Sequence, residues 1–84
     1  MKKYLAIALP FSANEYIETD NQNYAWYWAS ATSRRAATPH AVVMQSMAGN
    51  PTLVAYFKDG SDDVELTPYI RRQVQSQARA WLKG

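Results

Sequence analysis

The chain contains no cysteine. Disulfides, thiolate metal sites, thiol redox chemistry and a cysteine nucleophile are therefore excluded, and the absence fits a reducing cytoplasm. Histidine occurs once, at His40, so a metal centre would have one imidazole and no thiolate to draw on. Glycine occurs three times and proline four times. Those counts are too low for a low-complexity or disordered chain, and they supply no glycine-rich phosphate loop. No apolar run approaches the roughly 20 residues needed to cross a bilayer as a helix. Charge of one sign is also missing locally: residues 59–65 hold no base, and residues 66–84 hold no acid.

What is present is apolar and aromatic. Of 84 residues, 48% are hydrophobic and 13% aromatic, which predicts one folded domain over residues 1–84. A chain of this length buries roughly 60–65% of the surface its unfolded form exposes, so its core is modest. The opening Met1-Lys2-Lys3 and the apolar stretch behind it imitate a signal peptide. That stretch stops at Pro10 with no small-x-small cleavage site after it, and a first β-strand is the better reading.

Tyr4 to Leu9 alternates, with Leu5, Ile7 and Leu9 opposite Tyr4, Ala6 and Ala8, and reads as a half-buried strand. Residues 12–23 are polar and read as a long connection, with room for extra pairing around Tyr16 and Ile17. Thr38-Pro39 resembles an N-cap followed by a proline in the first helical turn. With His40, Val43, Met44 and Met47 at helical spacing, it predicts a short helix over 39–48. Thr52 to Lys58 reads as a strand, Asp59-Gly60 as a turn, and Val64 to Leu66 as a short returning strand. Thr67-Pro68 repeats the cap signal and opens a helix over 68–82, whose apolar stripe is Ile70, Val74, Ala78 and Trp81.

The densest aromatic segment is Tyr24-Ala25-Trp26-Tyr27-Trp28, which holds two of the three tryptophans. At a period of two, Tyr24, Trp26 and Trp28 share one face and Tyr27 takes the other, so the run reads as a strand extending to about Ala31. A helix over 24–36 is the competing reading, because the alanines after Trp28 suit one. The resulting order, ββαββα, predicts an α+β fold: about four mostly antiparallel strands with two helices packed on one face. Apolar groups then occur on both faces of a sheet that has helices for only one, and self-association into a homo-oligomer is the simplest cover.

Two sets of surface residues emerge. Tyr24, Trp26, Tyr27, Trp28, Arg34 and Arg35 form the candidate partner-binding group, either as core aromatics with a contact residue at Tyr27 or as an open platform. Arg71, Arg72, Arg79 and Lys83 form a basic face on the last helix, suited to nucleic acid or an acidic partner. Aromatics beside arginines are the ingredients of single-strand binding. The simpler account is a solvated helix face whose cations complement the helix dipole. The formal net charge is only +2, and no recognised nucleic-acid motif is present.

Catalytic constellations fail on their chemistry. His40, flanked by Val43 and Met44, reads as a packed histidine. Asp59, Ser61, Asp63 and Glu65 alternate like a calcium loop, but the glycine is misplaced and Ile70 stands where a bidentate Glu belongs. Glu15, Glu18 and Asp20 sit in a polar segment with nothing to raise a carboxyl pKa. The reading is thus a small non-enzymatic, cytoplasmic interaction protein, without metal or cofactor, that docks on a protein partner. A nucleic-acid module using Arg34, Arg35 and the basic helix face is the alternative. In size and build alone the chain is similar to small accessory proteins of phages and mobile elements, which often act by covering a host protein's surface.

Overall fold

In the computed structural model, residues 2–45 and 50–84 are described. Six elements follow in order: β1 (Tyr4–Ala8), β2 (Tyr16–Thr19), α1 (Gln22–Ala36), β3 (His40–Met44), β4 (Thr52–Phe57) and α2 (Pro68–Leu82). The strands form one antiparallel sheet in the order β2-β1-β3-β4. The α+β class and the ββαββα order are as the sequence predicts, although several elements occupy different residues.

The aromatic run is the main correction. Tyr24 to Trp28 lies in the first turns of α1, not in a strand. Asn21 caps the helix, its side-chain oxygen accepting from the Tyr24 amide at 3.0 Å, which satisfies one of the free N–H groups of the first turn. The buried positions are Ala25, Ala29, Thr32 and Ser33, at i, i+4, i+7 and i+8. That small-residue stripe, rather than the aromatics, is the face turned to the sheet. The helix ends at Ala37, which takes a left-handed conformation at φ 54°.

Thr38-Pro39 therefore follows a helix instead of opening one. The residue before proline is pushed toward extended geometry, and the Pro39 carbonyl accepts from the Leu9 amide at 2.9 Å. His40 to Met44 then continues as β3 rather than as the expected helix over 39–48. A short apolar run satisfies either period, and the β-branched pair Val42-Val43 favours the strand. Met47 and the end of that expected helix lie outside the described residues.

Strand pairing sorts the core into two layers. Tyr4, Ala6, Val42, Ala55 and Phe57 share one face of the sheet and pack with Ala25 and Ala29 of α1. Ala41 and Val43 share the other face and pack with Val74 and Ala78 of α2, with Leu53, Tyr56 and Ile70 against them. The helices thus cover opposite faces, not one. This follows from the strands themselves: β1 and the Ala41–Met44 part of β3 carry apolar side chains on both faces, and His40 is buried with them. β1 is accordingly fully buried, where the alternating pattern predicts a half-buried strand. The sheet needs no second copy of the chain as a cover.

The helix over 68–82 matches its prediction. Thr67 Oγ1 accepts from the Ile70 amide at 3.2 Å, and Pro68 stands in the first turn. Asp59 and Gly60 both take positive φ, 52° and 84°, and Lys58 pairs with Ser61 across them, the geometry of a two-residue hairpin turn. No strand forms over 64–66; the chain passes from the turn to α2.

Candidate functional site

With α1 seated on its small stripe, side chains radiate at about 100° per residue. Tyr24, Trp26 and Trp28, which share a face in a strand, separate here: Tyr24 and Trp28, at i and i+4, lie about 40° apart, and Trp26 stands about 160° from either. Trp26 and Trp28 flank the buried stripe, and both are partly buried against the α1-side core. Trp26 meets the Tyr4 ring edge-on at 6.0 Å, and Trp28 meets the His40 ring edge-on at 5.5 Å. They belong to the packing. Tyr24 and Tyr27 face outward, 49% and 71% exposed. Tyr24, Tyr27 and Arg35 fall at i, i+3 and i+11, one stripe on the far side of the helix from the sheet.

The two arginines of the last α1 turn part company. Arg34 extends over the β4 turn, where a Cβ added at Gly60 would stand 2.7 Å from Nε and 2.8 Å from Nη2. The same turn is clasped from below. The Gly60 amide donates to Ser33 Oγ at 2.9 Å, the Ser30 hydroxyl donates to the Gly60 carbonyl at 2.6 Å, and the Ser33 hydroxyl donates to the Ser30 carbonyl at 2.9 Å. Ser30 and Ser33 therefore anchor the hairpin tip to α1, and Arg34, itself exposed, lies over it. Arg35 is exposed and makes no ion pair among the described residues.

On the opposite side of the sheet, α2 exposes Arg71, Arg72, Arg79 and Lys83. None has a carboxylate within ion-pair distance among the described residues, where Lys2 pairs with Asp20 and the His40 ring lies beside Glu15. Arg71, Arg72 and Arg79 line a groove of about 540 Å³ that runs against Thr52 and Leu53 at the start of β4. A second groove of about 550 Å³ shares Arg72 and Arg79 and reaches Lys83. The sheet lies between these cations and the α1 arginines, so the basic groups do not form one surface. Tyr69, 62% exposed, sits beside Arg72 and Ser76 on α2. Helical spacing could have flagged it: Tyr69, Arg72 and Ser76 fall at i, i+3 and i+7, off the Ile70–Trp81 stripe.

His40 is 0% exposed. Its Nδ1–H donates to the Thr38 carbonyl at 2.8 Å. Nε2 has no hydrogen-bond partner among the described residues and lies 3.6 Å from Glu15 Oε1. Sequence proximity could not have paired these two, because the contact spans the β1–β2 connection. Burial raises the Tyr56 hydroxyl above its ordinary pKa. Among the described residues no group of three or more His, Asp or Glu side chains is placed to hold a metal ion, and no helix is long and apolar enough to cross a membrane. No family profile, curated protein or solved structure matches this chain.

Proposed function

We propose that the chain is a small non-enzymatic interaction protein that docks on a protein partner through the outward face of α1, centred on Tyr27. The observation that carries this reading is the position of Tyr27, 71% exposed beside Tyr24 at 49%, on a helix whose inward side is already fully satisfied by alanine, serine and threonine. A helix of that build has no folding reason to place two tyrosines outward. Tyrosine and arginine are the residues that carry most energy at protein interfaces, since they combine large area with few rotatable bonds or a fixed donor fork. Arg35 completes that set. His40 supports the non-enzymatic part: a fully buried imidazole is out of reach of a substrate.

The nucleic-acid alternative asks Arg34, Arg35 and the α2 cations to act together. Arg34 lies over the Gly60 turn, and the α2 cations face away from α1. No aromatic side chain lines either basic groove; a base would meet the exposed Tyr69 ring at the rim beside Arg72 rather than in the grooves.

The experiment is site-specific photo-crosslinking in the source cell, with the reactive residue placed at Tyr27, at Tyr24 and, as a control, at exposed Asn14. A discrete protein adduct at positions 27 and 24 and none at 14 is expected. Equal labelling at all three positions, or an adduct at 14 alone, refutes the reading.

A further inference from the structure

We propose that the basic grooves of α2 receive the acidic segment 59–65 of a second copy of this chain, so that the protein self-associates by charge complementarity. This surface is separate from the Tyr27 face and does not depend on that reading.

Two halves of an interface are present on one molecule and unused within it. Arg71, Arg72, Arg79 and Lys83 are exposed along α2, spanning about 18 Å at 1.5 Å per residue. Residues 59–65 carry Asp59, Asp62, Asp63 and Glu65 with no base, and all four acids are exposed. None of these four carboxylates forms an ion pair with the α2 cations of its own chain. The intervening link is short, since Thr67 already caps α2. Asp59 lies in the Lys58–Ser61 turn, and Ser61 to Glu65 beyond it reaches at most about 13 Å at ~3.3 Å per residue, which fits within the longer row of cations. Asp62, Asp63 and Glu65 on that stretch, with Asp59 at the turn, are the acids offered to the four cations.

The alternatives fit less well. A long polyanion such as nucleic acid would pass beyond the grooves, toward the acidic segment that precedes α2, and be repelled. It would also find no aromatic side chain in the grooves to stack on. Strand addition at β4 is disfavoured by the register shift between Val42 and Val43, which leaves Val54 as an extra residue on that edge. Side-chain charge, with Leu53 as an apolar contact in the groove, is what remains.

Exposed charge pairs are individually weak and screened by salt, so the expected association is salt-sensitive. The test is sedimentation of the full chain over a concentration series, at about 20 mM and at about 0.5 M salt, where the Debye length falls to a few ångströms. Concentration-dependent mass at low salt, lost at high salt, is expected. Arg79→Glu and Asp63→Arg should each weaken association about three- to tenfold, while an equimolar mixture of the two variants should recover it, because each supplies the half the other lacks. Far-ultraviolet circular dichroism checks that both variants stay folded. A strictly monomeric chain at low salt refutes the proposal. So does association that Arg35→Glu reduces as much as Arg79→Glu, or a mixture no better than either variant alone. A monomer whose grooves instead bind a single-stranded oligonucleotide or a glutamate-rich peptide in a salt-sensitive way also overturns it, in favour of a foreign partner.

Discussion

Replacing Gly60 by alanine tests both the turn and the assignment of Arg34 as a packing residue. Two separate costs are expected. Gly60 sits at φ +84°, where an L-residue pays about 1–2 kcal/mol, offset in part by the ~0.4–1 kcal/mol that alanine recovers from a less flexible unfolded chain. The new Cβ would also stand 2.7 Å from Arg34 Nε. The guanidinium is the far end of a flexible side chain, so it swings away at the cost of a rotamer change, about 0.5–1.5 kcal/mol. Together these give about 0.5–3 kcal/mol. An 84-residue domain has only about 4–13 kcal/mol of stability in all, and its midpoint falls by about 4–8 °C per kcal/mol. The assay is urea unfolding followed by tryptophan fluorescence, on Gly60→Ala, Arg34→Ala and the double variant. In the Arg34→Ala background the steric part is absent, so Gly60→Ala should cost about 1 kcal/mol less there than in the parent. If the cost is the same in both backgrounds, Arg34 does not rest on the turn and returns as a free cation available to a partner.

Four further outcomes are expected. Ala37→Gly should stabilise the fold by about 0.5–1 kcal/mol, since Ala37 ends α1 at φ 54°, where glycine carries no Cβ penalty; thermal unfolding checks this. Ala29→Leu should cost about 1–3 kcal/mol in urea unfolding, because Ala29 is fully buried where α1 meets the sheet. Tyr27→Ala should leave stability within about 0.5 kcal/mol, as an exposed side chain off the core does; a larger loss in the same assay would make Tyr27 a packing residue. Burial raises the Tyr56 pKa, so the folded state prefers the neutral phenol. That contribution is complete below the unfolded value of about 10 and is lost as pH rises through the folded value. Stability of the parent should therefore fall more steeply above about pH 10 than that of Tyr56→Phe, compared by urea midpoints at pH 8 and 11.

The least legible part of the sequence was the stretch 21–44, and the reason is physical. Large aromatics dominate any hydrophobic reading, so Tyr24, Trp26 and Trp28 appeared to define a face. In the fold the alanines define it, because a helix lying close on a sheet needs small residues at the contact and sends its bulky ones to the flanks. The pattern was present at Ala25, Ala29, Thr32 and Ser33, with Asn21 as its cap. β3 failed for a related reason. Five residues, four of them buried, with apolar groups on both sides have no period to read, and the cap-like Thr38-Pro39 favours helix. The partners that matter to the candidate surfaces were out of reach of any local pattern: Arg34 meets Gly60, Ser33 meets Gly60 and His40 meets Glu15 only once the chain has returned on itself.

The ββαββα order agrees with the sequence as a pattern, with its four middle elements on other residues than predicted. The sequence by itself determined the α+β class, the Asp59-Gly60 turn and the capped C-terminal helix with its Ile70–Trp81 stripe. Each of these rests on local rules: turn residues with positive φ, a threonine cap before proline, and an apolar stripe at helical spacing. The tertiary structure alone decided which face each helix covers, which aromatics are packed and which are offered, and that the two groups of arginines lie on opposite sides of the sheet. Those outcomes depend on strand register and on the volume available between layers, which no window of neighbouring residues contains.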